Sequence, residues 1–468
     1  LQNIKVFTYM DDLTILSNSE KDFNNCIDII KQFDSIGIKV NHDKSKYFSI
    51  DDINNRSLEL LGSIIGSDKD KLIFVENKIE TMKQHLLAIK DLSSQEMYIL
   101  LKNCISNELR HLLRCLSPSI LINKWQDIDK LFRDFIKLNI MGILDIENNN
   151  QSWVDQIIHL PLRQGGLGII SYADTCEIIR SSSINLAETV LIWSDPNNLP
   201  SLKKLLSELH QAKQEKLIQS LPNFDYAKQF IDMNSRISKS WLNNIPKYAK
   251  LKLSDQEVAT YFKAKTLYIP VAPNTSSESS ALSSPVCPNC GLLYNLNHSE
   301  SCPYSSNFKI ARHEMVKKSL CRNLSRVGNQ VHLEPFLSSS NGQRADIKLS
   351  GISAPKQGTC LLDISIVTIN STKSKIKKNK SSNFNVISEI DEAIQDDLNI
   401  RYQQKINKYK NSQSYPVIPW CMTNGGTLHP EAEPFLKLIK KQIVPELSII
   451  LAKARHRNSI APISNLNH

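Results

Sequence analysis

No run of apolar side chains in these 468 residues reaches the roughly eighteen needed to cross a bilayer as a helix, so a helical membrane span is excluded. No secretory pattern opens the chain, and nothing in it predicts export. Regularly spaced cysteine pairs are also lacking. Cys26, Cys104, Cys115, Cys176, Cys321, Cys360 and Cys421 are scattered, and only Cys287, Cys290 and Cys302 cluster. That distribution speaks against a disulfide framework and for a reducing compartment with one metal site. The composition, 41% hydrophobic and 22% charged, excludes a disordered chain, and the length suits two to four domains with their own cores. Charge of one sign is in deficit: 57 basic against 47 acidic residues leave a net +10, which favours a polyanionic partner. The chain starts at Leu1, within an apolar run and without Met, so it is expected to be a piece of a longer polypeptide.

What is present begins with "VFTYMDDLTILSNS". Ile4 to Tyr9 and Leu13 to Ser17 read as β-branched and aromatic strands, which puts Asp11 and Asp12 at the tip of a hairpin. An Asp-Asp turn is also what a plain turn would choose, so the residues that follow must decide. Phe23, Cys26, Ile27, Ile30 and Phe33 fall at helical spacing behind Ser19, a good N-cap, and Gly37 marks the helix end. "IKVNHDKSKYFSI" reads as strand, turn and strand, and "LELLGSIIG" (58–66) as an apolar strand broken at Gly62.

In that order, Tyr9-Met10-Asp11-Asp12 resembles the YxDD box of reverse transcriptases. "GIKVNHDKS" (37–45) is similar to the segment that follows the box in that family, and "LLGSIIG" to the primer grip. Nucleotide addition uses two Mg²⁺ ions about 4 Å apart, and these need hard oxygen ligands. The resemblance implies Asp11 as principal Mg²⁺ ligand, Asp12 as a weaker or indirect one, and Lys44 as proton donor to the leaving pyrophosphate. A solvated turn lysine is the alternative for Lys44. The family's other essential aspartate lies upstream of the box, where only eight residues precede Tyr9. A partial palm that does not polymerise alone is therefore expected.

Residues 76–150 carry three helical patterns, as a polymerase thumb would, with Lys102, Arg110, His111 and Arg114 as candidates to track template–primer phosphates or simply as a solvated face. "HLPLRQGGLGI" (159–169) is similar to a segment downstream of the polymerase in non-LTR retrotransposon proteins; Gly165, Gly166 and Gly168 predict a tight structural turn. From 171 to 264 the pattern stays helical, with Trp241, Leu242 and Pro246 as packing residues. Residues 271–285, rich in Ser, Thr, Pro and Asn, read as a flexible boundary. Cys287, Cys290, His298 and Cys302 then spell C-x2-C-x7-H-x3-C, a donor set of soft thiolates and one imidazole suited to tetrahedral Zn²⁺. Four ligands close the site, so its role is to fold a small module. The spacing resembles the finger that site-specific non-LTR elements carry after the polymerase, with His313 as a rival to His298.

In the last third, Asp346 heads one strand and Asp363 sits inside the apolar strand "TCLLDISIVT". A carboxylate there is expected to be buried and to need a cationic partner. Two acids on neighbouring strands plus a lysine resemble the PD…(D/E)xK metal site of restriction-type nucleases, which some non-LTR retrotransposons carry at this place. Ala345 stands where the family has Pro, and Ser365 where the textual lysine would be. The resemblance displaces that lysine to "AIQDDLNIRYQQKINKYK", which holds Arg401, Lys405, Lys408 and Tyr409. Lys405 and Lys408 lie one turn apart, and either could orient the attacking water. Lys373, Lys375, Lys377, Lys378 and Lys380 form a polar basic run that is either a solvated loop or a phosphate contact.

The expected fold is multidomain α+β. Residues 1–75 are the end of a reverse transcriptase palm, 76–150 a helical thumb-like region and 151–270 a helical linker region. A flexible linker at 271–285 leads to a zinc finger at 286–304, a restriction-like endonuclease domain at 305–456 and a tail at 457–468. The implied function is RNA-directed DNA polymerase joined to a Mg²⁺-dependent endonuclease that nicks target DNA, so that the freed 3′ end primes copying of an RNA template, in the nucleus. The rival is a non-catalytic nucleic-acid-binding scaffold, as in the large spliceosomal core protein that resembles both parts, or a decayed element.

Overall fold

β-Branched and aromatic residues on both sides of the Asp-Asp pair favour extended backbone, and strands β1 (Ile4–Tyr9) and β2 (Asp12–Ser17) pair antiparallel there, with Tyr9 opposite Asp12. A computed structural model describes residues 4–9, 12–37, 39, 41, 45–49, 51, 56–144, 151–192, 200–269, 290, 291, 298–335, 344–351, 358–369, 387–410 and 415–464. They form a mixed α/β, mostly helical protein of two units, Leu1–Phe74 and Val75–His468. No helix among the described residues is long and apolar enough to cross a membrane.

In the first unit, helix α1 (Glu20–Lys31) starts at Ser19, whose hydroxyl accepts from the Asp22 amide, and passes through a 3-10 turn (Gln32–Ile36) to Gly37 at φ +87°. The described residues of 38–50 have no regular secondary structure, where a strand, a turn and a second strand were expected. The Asn41 carbonyl instead takes both the amide and the hydroxyl of Ser45, a local bond that competes with a ladder. The run at 58–66 folds back on itself as β3 (Leu58–Leu60) and β4 (Ser63–Ile65). Leu61 (φ +49°) and Gly62 (φ +73°) make the two-residue loop with both φ positive that matches hairpin twist.

The second unit opens with helices α2 (Asp68–Ala88, beginning in the first unit), α3 (Ser94–Asn103), α4 (Leu112–Cys115) and α5 (Pro118–Phe135). Ser93 and Glu96 form a reciprocal capping box on α3. The pattern running on to Leu116 breaks after Asn103, where the Asn107 side chain donates to the Lys102 and Asn103 carbonyls and ends the helical ladder. Helices α6 (Ser152–His159), α7 (Tyr172–Ile192), α8 (Leu202–Ser220), α9 (Phe224–Asp232) and α10 (Asp255–Lys265) follow. Between α6 and α7, Gly165 (φ +92°) and Gly168 (φ +75°) take the left-handed turn, while a Cβ on Gly166 would lie 1.9 Å from the Leu160 carbonyl oxygen. Trp241 and Leu242 are fully buried and Pro246 half-buried; Trp241 packs at 5.0 Å from Tyr261 and 5.9 Å from Phe262.

The rest of the chain supplies α11 (His298–Ser301), α12 (Ser306–Arg326), β5 (Gln330–Leu333), β6 (Ile347–Ser350), β7 (Thr359–Val367), α13 (Ile387–Tyr409), β8 (Val417–Thr423) and α14 (Glu433–Ser464). The sheet order is β5-β6-β7-β8, with the first two pairings antiparallel and β7–β8 parallel, so α13 lies in the crossover that a parallel pair requires. β7 is buried along most of its length, and its side chains alternate between faces. Leu362 and Ile364 join α12 and α14 in one core, whereas Leu361 packs with Tyr409 of α13. Asp363 belongs to the α13 face. α13 itself packs through Ile390, Ile394 and Leu398 onto Ile157, Leu217 and Phe230 of the preceding helical segment.

Candidate active site and metal centre

The β6–β7 ladder ends at Ile347 opposite Leu362; continuing that register brings Asp346 level with Asp363. The strands part at this point. The Asp346 carboxylate takes the Ile364 amide at 2.6 Å, as a ladder carbonyl would, and is 3.3 Å from Nε2 of His313 on α12. Asp363 is 3% exposed, and a charge so deeply buried needs partners. Among the described residues it has two, both from α13: its Oδ2 pairs with the Lys405 ammonium, and its Oδ1 accepts from the Tyr409 hydroxyl at 2.9 Å. Two residues along β7, the Ser365 hydroxyl accepts from Arg401 Nε at 2.7 Å. Arg401, Lys405 and Tyr409 recur every four residues, so one stripe of α13 meets the polar side of β7.

Burial would raise the Asp346 pKa, but the hydrogen bond and charge of His313, the Ile364 amide and the Lys405 charge outweigh it and hold the carboxyl below its ordinary value. The His313 imidazole is raised in turn, first by that hydrogen bond. Burial, with the negative charge of Asp363 behind it, pushes the Tyr409 phenol far up, so it stays a protonated donor. Chemically these are two carboxylates with the Lys405 ammonium and the His313 imidazole beside them; carboxylate oxygens are the donors a hard divalent ion such as Mg²⁺ takes, while the neighbouring cations oppose its charge. Such an ion would supply Lewis acidity and an acidified water.

The Cys/His cluster lies on the approach to α12. α11 is a single turn in which the Cys302 amide bonds the His298 carbonyl at 2.7 Å, so the H-x3-C spacing puts both side chains on one side. The donor atoms of Cys290, His298 and Cys302 lie within 4.8 Å of one another, with Cys290 Sγ 3.2 Å from His298 Nε2. Zn–S and Zn–N bonds at the tetrahedral angle would set those two atoms about 3.6 Å apart. The three residues could therefore hold a metal ion and are compatible with zinc. Burial lowers the pKa of His298, favouring the neutral imidazole that a metal ligand must be. On the opposite side of α11, buried Glu300 pairs with Arg312 of α12 and lies 3.8 Å from Arg455 and 3.1 Å from Asn458 of α14.

Lys405 thus reaches Asp363 directly and acts on Asp346 through its charge, with Asp346 and Asp363 level across the two strands. Lys408 stands one step back, its ammonium donating to the Tyr409 hydroxyl at 2.8 Å. Asp12 opens β2 rather than occupying a turn, because its backbone pairs with Tyr9. Asp11, Lys44, Cys287 and the lysines at 373, 375, 377, 378 and 380 lie outside the described residues. Lys102 is neither solvated nor free of the fold: its ammonium donates to the Leu242 carbonyl at 2.6 Å and to Asn243 at 2.8 Å, and burial lowers its pKa to about 8. His313, weighed as a rival zinc ligand, faces Asp346 instead. Sequence reasoning missed that role because His313 and Asp346 meet only through the packing of α12 on the sheet, and no local spacing signals it. No protein-family model matches the chain, and neither does any curated protein.

Proposed function

We propose that the chain is part of a non-LTR retrotransposon protein that joins an RNA-directed DNA polymerase to a Mg²⁺-dependent endonuclease nicking target DNA in the nucleus. The observation that carries the nuclease part is the register that sets Asp346 level with Asp363 where β6 and β7 part, with Lys405 paired to Asp363. In this reading the two carboxylates hold the ion, Lys405 stabilises charge on the scissile phosphate and orients water, and Lys408 and Tyr409 support that constellation from behind. The Zn²⁺-type cluster, with Cys287 as fourth ligand, folds a module against the same domain, and the basic run at 373–380 contacts phosphates without reading bases. The test is conversion of supercoiled plasmid to open circle by the full chain with Mg²⁺. Asp346→Ala should stop nicking but leave DNA binding, and nicking that survives it sinks the assignment.

The polymerase part rests on Tyr9-Met10-Asp11-Asp12 at a β-hairpin. In a protein supplying the remaining polymerase segments, Asp11→Ala is expected to abolish Mg²⁺-dependent synthesis on an RNA template while RNA binding stays within about twofold. Synthesis unaffected by that change would remove Asp11 from the metal site.

The buried Lys405–Asp363 pair favours a second reading. Ion pairs of this kind also occur as purely structural features, and the domain would then be a non-catalytic nucleic-acid-binding scaffold. A chain that binds DNA but nicks it with no divalent ion would decide for that reading.

A further inference from the structure

We infer that His313 is a positioning residue for the acid pair, fixing the Asp346 carboxylate so that Asp346 and Asp363 present oxygens to one divalent cation. The inference rests on the nuclease reading and deepens it. His313 Nε2 lies 3.3 Å from Asp346 Oδ2 and 3.2 Å from the Ile364 carbonyl oxygen. A carbonyl can only accept, so Nε2 carries the hydrogen. The same Asp346 oxygen takes the Ile364 amide at 2.6 Å. A single Nε2–H, shared with the Ile364 carbonyl, and the backbone amide of Ile364 on β7 therefore flank one carboxylate oxygen. Torsion of the carboxylate about its last bond is fixed, and with it the direction of the other oxygen.

The helix that carries His313 is itself tied down one residue before it and one turn after it. Arg312 pairs with buried Glu300 on α11, and Lys317, one turn on, pairs with Glu314 and with Glu334 just beyond β5. A donor held so firmly against a carboxylate is the arrangement that sets a ligand's orientation and basicity. Losing such a donor typically costs 10–100-fold in metal affinity.

The experiment is calorimetric titration of the full zinc-loaded chain with Mn²⁺, and with Ca²⁺ as an ion that need not support turnover. It compares His313→Gln with His313→Met, two variants of similar length of which only the first keeps an N–H donor. His313→Met is expected to weaken cation binding 10–100-fold, and His313→Gln to stay within about threefold of the parent. Both should keep the parent's thermal midpoint. In parallel nicking assays, His313→Met should raise the Mg²⁺ concentration for half-maximal rate while the rate at saturating Mg²⁺ recovers. Equal cation affinity in the two variants, with Asp346→Ala still abolishing binding, overturns the role of His313 and leaves the nuclease reading standing. A parent chain that binds no Mn²⁺ or Ca²⁺ overturns both. If both variants unfold, His313 is a packing residue and the inference falls.

Discussion

In the proposed nuclease site, Asp363→Asn is expected to cost roughly a hundredfold to a thousandfold or more in Mg²⁺-dependent nicking and, separately, about 3–5 kcal/mol of stability. The two losses have different causes. Nicking fails because a neutral amide is a poor ligand for a hard cation. Stability falls because the Lys405 ammonium, itself mostly buried, loses its counter-charge. A second substitution separates the two effects. Asp363→Asn with Lys405→Met removes both charges, and removing both members of a buried pair costs less than stranding one of them. The double variant should therefore regain most of the lost stability in denaturant melts while nicking stays lost. Nicking at the parent rate by Asp363→Asn would take Asp363 out of the mechanism. A double variant no more stable than the single one would mean that the pair is not coupled as its contact requires.

Removal of zinc should have the second largest effect. The purified chain is expected to carry one zinc per molecule and to lose several kcal/mol of stability when a strong chelator removes it, since apparent binding energies of structural zinc are about 10–16 kcal/mol. Metal analysis and thermal melts with and without chelator read both. His298→Ala and Cys302→Ser should each abolish stoichiometric zinc, whereas His313→Ala should retain it, because His313 belongs to Asp346. Zinc retained in His298→Ala but lost in His313→Ala would reverse the ligand assignment.

How legible these features were follows from their range. Helix caps at Ser19 and Ser93, the glycine turn at 165–168 and the one-turn spacing of His298 and Cys302 are local, and each was readable from a few adjacent residues. That Asp363 would be buried was also readable, because its strand is apolar on both sides. What failed depends on partners far along the chain or on competing local bonds. Lys102 looked like a solvated cation in its helix, yet it caps carbonyls some 140 residues away. The segment after Gly37 alternates like a strand, but Asn41 and Ser45 satisfy their own backbone. Of the two lysines one turn apart, only packing could tell that Lys405 reaches the acid while Lys408 reaches Tyr409.

The seam between the helical segment and the sheet domain is closed by buried polar contacts. Asp232, at the end of α9, accepts from the hydroxyls of Thr423 and Thr427 and from the Gly425 amide, where a Cβ would lie 2.2 Å from its carboxylate. Lys228 pairs with Asp397, Lys250 with Glu446, and the Trp241 amide bonds the Ser448 hydroxyl. Separation would break all of these contacts and expose the surfaces that they join. Severing the chain within 271–285 would therefore not release an autonomous sheet domain. The two fragments would stay associated, copurify and melt in one transition, and neither expressed alone would hold its native conformation until the other was supplied.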